Sequence, residues 1–304
     1  MGISQKTVVI IVALLFVLLG GYYWYWFSPA QTKEADTHAH TVVIVNPGGT
    51  TFTELFAGFE EGVRAAHHDS GESISIIHKD AKGNQETLKQ FVSEAVALNP
   101  TLIVTVSSPP TLQALEETKT SKTPILAVLG DPTKHGYITS LQSSGTNLSG
   151  IAQQSIELTP KRFEILKEIA PDVKKVAVFY DTTCGPTKSA RPIANAAAPK
   201  LGLELVEIAL TTPTRDQITE ALKVANAKDF DAIMFYPLGT LFSKSDLFLS
   251  IAREEKLPIV MPDEGALKDG AIASYGPNYF AMGKQLARQA EKILKGVDPK
   301  DIPF

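Results

Sequence analysis

Cysteine is almost missing from this chain. Among 304 residues only Cys184 carries a thiol, so no internal disulfide can form and no Cys-x-x-Cys offers zinc or dithiol chemistry. Positive charge is also short. Lys and Arg number 29 against 33 Asp and Glu, a net charge of −4, which leaves no basic surface for nucleic acid. The common catalytic signatures are absent too: no G-x-G-x-x-G, no Walker loop, no G-x-S-x-G and no H-E-x-x-H. Histidine is scarce and scattered. His38 and His40 sit in polar sequence, His67 and His68 end a helical pattern, His78 ends a strand pattern and His135 follows Asp131 in a loop. Cys184, in "DTTCGPT", has no histidine near it in sequence and reads as an idle thiol. The expectation is therefore no enzyme, no cofactor and no metal.

What is present begins with one long apolar run. "TVVIIVALLFVLLGGYYWYWF", residues 7–27, has no charge and is preceded by Lys6. A span of about 20 apolar residues crosses a bilayer core, and the cluster from Tyr22 to Trp26 resembles an interfacial aromatic belt. Two readings stand. One is an uncleaved transmembrane anchor with its N-terminus inside; the other is a signal peptide cut after Ala30. The five large aromatics favour the anchor. Both readings export the remainder, and 28–40 reads as a linker.

From Thr41 onward short apolar runs alternate with helical periodicity. Strands are expected at 41–45, 73–77, 101–106 and 124–129, with helices between them. Continuous apolar runs are the mark of strands buried on both faces, and intervening helices make parallel βαβ units. After the Gly/Ser-rich "SSGTNLSG", 143–150, the alternation restarts, with strands at 175–180, 203–210, 231–236, 258–261 and 271–275. Thr159 is expected to cap the helix that opens this half, with Pro160 its first residue. The fold class is α/β, two doubly wound parallel-sheet lobes.

Ligands of open parallel sheets lie outside the carboxyl ends of the strands. The polar residues there are Thr50 and Thr51 in "NPGGTTFTE", Ser107 and Ser108 in "SSPP", and Asp131 in "GDP". Thr51 and Glu54 have capping-box spacing, and Ser108 is expected to cap a helix opened by Pro109. The second half offers Tyr180, Asp181 and Thr182, then Tyr236, Asp263, Glu264 and Tyr275. Hydroxyls and helix ends suit an anion, carboxylates an ammonium group, and tyrosines an apolar body. That polarity fits an amino acid, and also nucleosides, sugars and small peptides.

The segments "AGFEEGV", "DAKGNQETL", "GDPTKHGYI", "EILKEIAPDVKKVAVFYD", "LGLELVEI" and "LKDGAIASYGPNYFAMGKQLARQAEKILKGVDPKDIPF" occur in an order and spacing that resembles the ABC-transporter substrate-binding proteins related to the tryptophan/tyrosine-binding type. The resemblance implies the periplasmic binding protein type I fold, whose lobes are joined by several hinge crossings. They are expected near 144–150, at "SYGPN" with Tyr275 facing the cleft, and at "GVDPKDIPF". The implied division is an anchor or signal peptide with linker at 1–40, a first lobe of 41–146 plus 277–296, and a second of 147–276 plus 297–304. Family members usually continue beyond "DIPF". The implied function is a membrane-tethered extracytoplasmic solute-binding protein that delivers a small molecule to an ABC permease with its ATPase. An anchored ligand sensor is the rival reading, and an exported α/β enzyme the third.

Overall fold

In the computed structural model, residues 40–304 are described apart from 69–72, 183–186, 212, 225–228 and 238, and apart from the side chains of residues 50, 51, 67, 68 and 239. The apolar run at 7–27, His38 and Cys184 lie outside the described residues. Among the described residues no helix is long and apolar enough to cross a membrane, and no His/Cys/Asp/Glu group could hold a metal ion.

The first half is a five-stranded parallel sheet in the order β2-β1-β3-β4-β5. Its strands are β1 (His40–Asn46), β2 (Ile74–Asp80), β3 (Leu102–Val106), β4 (Ile125–Gly130) and β5 (Leu148–Gln153). Strand side chains alternate between faces, and here both faces are covered. Val43, Val45, Ile103, Ala127 and Leu129 pack with Leu88, Val92 and Ala114 of α2 (Gln85–Ala97) and α3 (Ser108–Glu117). Val42, Ile44, Leu102, Val104 and Leu126 pack the other way, on Leu55, Phe59 and Leu286 of α1 (Thr50–His68) and α9 (Tyr279–Leu294). Double coverage is the physical reason these strands read as unbroken apolar runs.

The second half has the sheet β7-β6-β8, formed by β6 (Lys175–Asp181), β7 (Glu204–Leu210) and β8 (Ala232–Phe235), all parallel. The Ile233 N–H donates to Pro258 O, linking it to the short pair β9 (Val260–Met261) and β10 (Ala273–Ser274). Val176, Val178 and Met234 face α4 (Thr159–Ile169) and α5 (Thr187–Ala197); Ala177, Phe179 and Phe235 face α6 (Arg215–Val224) and α8 (Ser245–Glu255). A one-turn helix, α7 (Gly239–Phe242), precedes α8.

Three boundaries differ from expectation. "LSGIAQ" is a strand paired on β4, so the first sheet runs to Gln153 and the first crossing lies at 154–158 rather than 144–150. Its glycine and serine gave it the composition of a loop, and pairing with β4 overrides that propensity. Residues 297–304 pack on the first half: Ser149 Oγ donates to Ile302 O at 2.9 Å and the Phe304 N–H to Leu141 O at 2.8 Å. The helix-opening residues also shift. Leu158 and not Thr159 stands at the cap of α4, and Ser107 and not Ser108 at the cap of α3.

At 275–278 the chain passes from β10 to α9. A Cβ on Gly276 would lie 1.8 Å from Pro262 O, so only glycine lets the two segments pass. Asn278 then caps α9, its Oδ1 accepting the Ala281 N–H at 2.8 Å.

Candidate functional site

Because every strand of the first sheet is parallel, their carboxyl ends open on one edge, where Asn46, Ser107, Asp131 and Gln153 lie. The β1–α1 turn begins with Asn46, whose Oδ1 accepts the Gly48 N–H at 2.8 Å. Gly49 follows at φ +94°, and a Cβ there would stand 2.5 Å from Phe242 O. The second half therefore closes onto this turn. The Phe52 and Phe242 rings are 5.8 Å apart, and Lys244 Nζ donates to Gly83 O at 2.5 Å. One apolar cluster runs unbroken from Ile44 and Phe52 through Phe242 to Phe235 and Phe179. Along this side the halves are shut.

Of the expected residues, Ser107 and Asp131 stand at the ends of adjacent strands, and both have left-handed backbone, φ 71° and 44°. Such conformations cost about 1–3 kcal/mol for an ordinary residue and gather at ligand clamps. Ser107 makes no side-chain cap bond, and Pro109 and Pro110 supply no N–H. The α3 terminus thus has fewer amide donors for an anion than four ordinary residues would give. Thr50 and Thr51 open α1, but Gly49 is the residue at the cap, its carbonyl accepting the Thr53 N–H at 3.3 Å; the two threonine side chains are outside the described atoms. Asp181 and Asp263 are both buried, at the ends of β6 and β9. Asp263 Oδ1 caps a short 3-10 turn by accepting the Ala266 N–H at 3.1 Å.

Two of the expected tyrosines, Tyr180 and Tyr236, pack within the second half. Tyr236 is fully buried against α4 and α5, and its hydroxyl donates to Glu207 Oε1 at 2.6 Å. Arg191 grips the same carboxylate with Nε at 2.9 Å and Nη2 at 2.6 Å and lies 4.9 Å over the Tyr180 ring. Arg191 holds the Glu207 carboxyl below its ordinary range, and burial, then Glu207, pushes the Tyr236 phenol upward. Period-two alternation sends Tyr180 to the face of the sheet covered by α4 and α5. Thr182 is exposed and donates its N–H and hydroxyl to Leu210 O at 2.9 and 3.2 Å, Glu264 is exposed, and the Tyr275 side chain is partly exposed at 39%.

Two residues that sequence reasoning passed over are prominent. Arg162 of α4 is 2% exposed. It donates to Ser155 O at 2.8 Å, to Ser155 Oγ at 3.0 Å and to Tyr275 O at 2.7 Å, so one guanidinium ties the first crossing to the second. Desolvation lowers its pKa to about 10, which leaves it charged at neutral pH. Lys244 is the other; burial holds its ammonium below the usual lysine value. Neither has a local signature, since an arginine or lysine near a helix start reads as solvated.

Residues 41–304 match the family model for ABC transporter substrate binding protein. The tyrosine-binding protein of Clostridioides difficile is 28% identical over 248 residues, covering 81% of this chain and 70% of that protein. An ABC domain in complex with L-Trp from Streptococcus pneumoniae superposes with a TM-score of 0.74 at 21% identity, over 88% of both chains. A ligand-free, open substrate-binding protein with adhesive properties from Clostridium difficile gives 0.57 at 26% identity, again over 88% of both. The fold is that of the type I periplasmic binding proteins, and the chain belongs to the ABC transporter substrate-binding protein family.

Proposed function

We propose that this chain is the solute-binding component of an ABC importer and closes its two halves, as lobes, on an aromatic amino acid. The observation that carries this is the set of contacts between the halves, Phe52 with Phe242 and Lys244 with Gly83 O. The structure superposes better on the relative holding L-Trp than on the open, ligand-free one, although the latter is more similar in sequence. The carbonyl ends of both sheets supply Ser107 and Asp131 from one side, Asp181 and Asp263 from the other. Asp131 is the group for the ligand's ammonium. Hinge closure stabilised by contacts to both halves requires no bond to be made or broken. The lobes exchange the chain at 154–158 and 275–278. The apolar run at 7–27 tethers the protein with its binding domain outside the cytoplasm, beside the permease that receives the solute.

The test is calorimetry of the full-length chain against L-tryptophan, L-tyrosine, other amino acids, nucleosides and sugars, with product analysis. Saturable binding of an aromatic amino acid recovered intact supports the reading, and at about 100 times the dissociation constant it should add about 2.7 kcal/mol of stability. Binding confined to another class, or turnover of the ligand, overturns it.

A further inference from the structure

A cavity of about 150 Å³ lies between the carboxyl end of β4 and the first crossing, lined by Asp131, Thr133, Leu141, Gln153, Gln154 and Glu157. Small-molecule pockets that enclose a whole ligand run to about 300–1,000 Å³. This one takes only a polar end of a few atoms. Gln153 is the last residue of β5, and its Oε1 is buried with no hydrogen-bond partner. A buried acceptor left unpaired is costly, and a donor reaching it would remove that cost. Charge points to the kind of donor. Asp131 and Glu157 bring two carboxylates, while Lys134, 3.8 Å from Asp131, is the one cation paired with them among the described residues. The residues lining the cavity are thus net negative, which suits a cationic donor.

We propose that Gln153 and Glu157 complete, together with Asp131, a subsite for a ligand's ammonium group at the first crossing. This rests on the aromatic amino acid reading and deepens it. The group would donate to Gln153 Oε1 and to the carboxylates of Asp131 and Glu157. Since Gln153 and Glu157 flank the segment that leads into α4, occupancy also fixes the crossing about which the halves turn. Ligand recognition and closure then share the same residues.

The experiment titrates the full-length chain, unaltered and carrying Gln153→Leu with Glu157→Gln, with L-tryptophan and with indole-3-propionate, which keeps the ring and carboxylate but has no ammonium. The unaltered chain should prefer tryptophan. The double variant should lose about tenfold in tryptophan affinity, the equivalent of one or two hydrogen bonds, and its preference over the deaminated probe should shrink. Ligand-free melting is measured alongside; if the double variant is destabilised, Glu157→Gln alone, at an exposed position, gives the same reading with a smaller loss. Unchanged tryptophan affinity, or equal loss for both probes, overturns the subsite while leaving the aromatic reading intact. If neither tryptophan nor tyrosine binds the unaltered chain, the aromatic reading fails and the subsite falls with it.

Discussion

Single side chains at the strand ends divide into those committed to the protein's own structure and those open to a ligand. Tyr236 belongs to the first group, since Glu207 takes its hydroxyl. Tyr236→Phe should cost about 1 kcal/mol in denaturant unfolding and leave ligand affinity unchanged. Asp131→Ala should do the reverse, weakening affinity for an amino acid by about 1–3 kcal/mol with little change in stability; calorimetry and urea titration of the pair separate the roles. Glu207 adds a pH dependence whose sign is fixed. Its folded pKa is depressed from the ordinary 4.5, chiefly by Arg191, so its contribution is complete above that value and is lost as pH falls through the folded one. Glu207→Gln should therefore flatten the loss of stability on acidification below about pH 4.5, read by melting temperature against pH.

Among elements, the α1–α9 pair shows how small residues set packing. A Cβ on Gly283 would come within 2.0 Å of Leu55 O, and one on Gly58 within 2.1 Å of Phe280 O. The two helices meet backbone to backbone, and this contact anchors the returning chain to the first sheet. Gly283→Ala should force them apart and destabilise by about 3 kcal/mol, the scale of severe overpacking; a chemical denaturation curve with unchanged midpoint would refute the contact. "AGFEEGV" was legible as helical and family-like, but the need for Gly58 was not, because the partner helix lies more than 200 residues away in sequence.

For the whole molecule, the proposed function rests on the balance between open and shut. Lys244 donates to Gly83 across the halves, and its desolvation lowers the ammonium pKa. Lys244→Met removes one interlobe bond while keeping the aliphatic stem. Closure should weaken by about 1 kcal/mol, so ligand affinity should fall about fivefold and the ligand-free radius of gyration from small-angle scattering should rise. A variant as compact and as tight-binding as the unaltered chain would remove Lys244 from the closing contact.

The sequence by itself determined the α/β alternation, the parallel sheets and the family. Those follow from local periodicity and from ordered segments, which are written along the chain. Only the tertiary structure decided that β5 is a strand, that 297–304 returns to the first sheet, that Tyr180 and Tyr236 pack towards helices, and that Arg162 and Lys244 bond to segments distant in sequence. Each of these depends on a neighbour distant in sequence: β4 for β5, Glu207 for Tyr236, Tyr275 for Arg162, Gly83 for Lys244. Burial and hydrogen bonding are properties of what surrounds a residue, and no local pattern carries them.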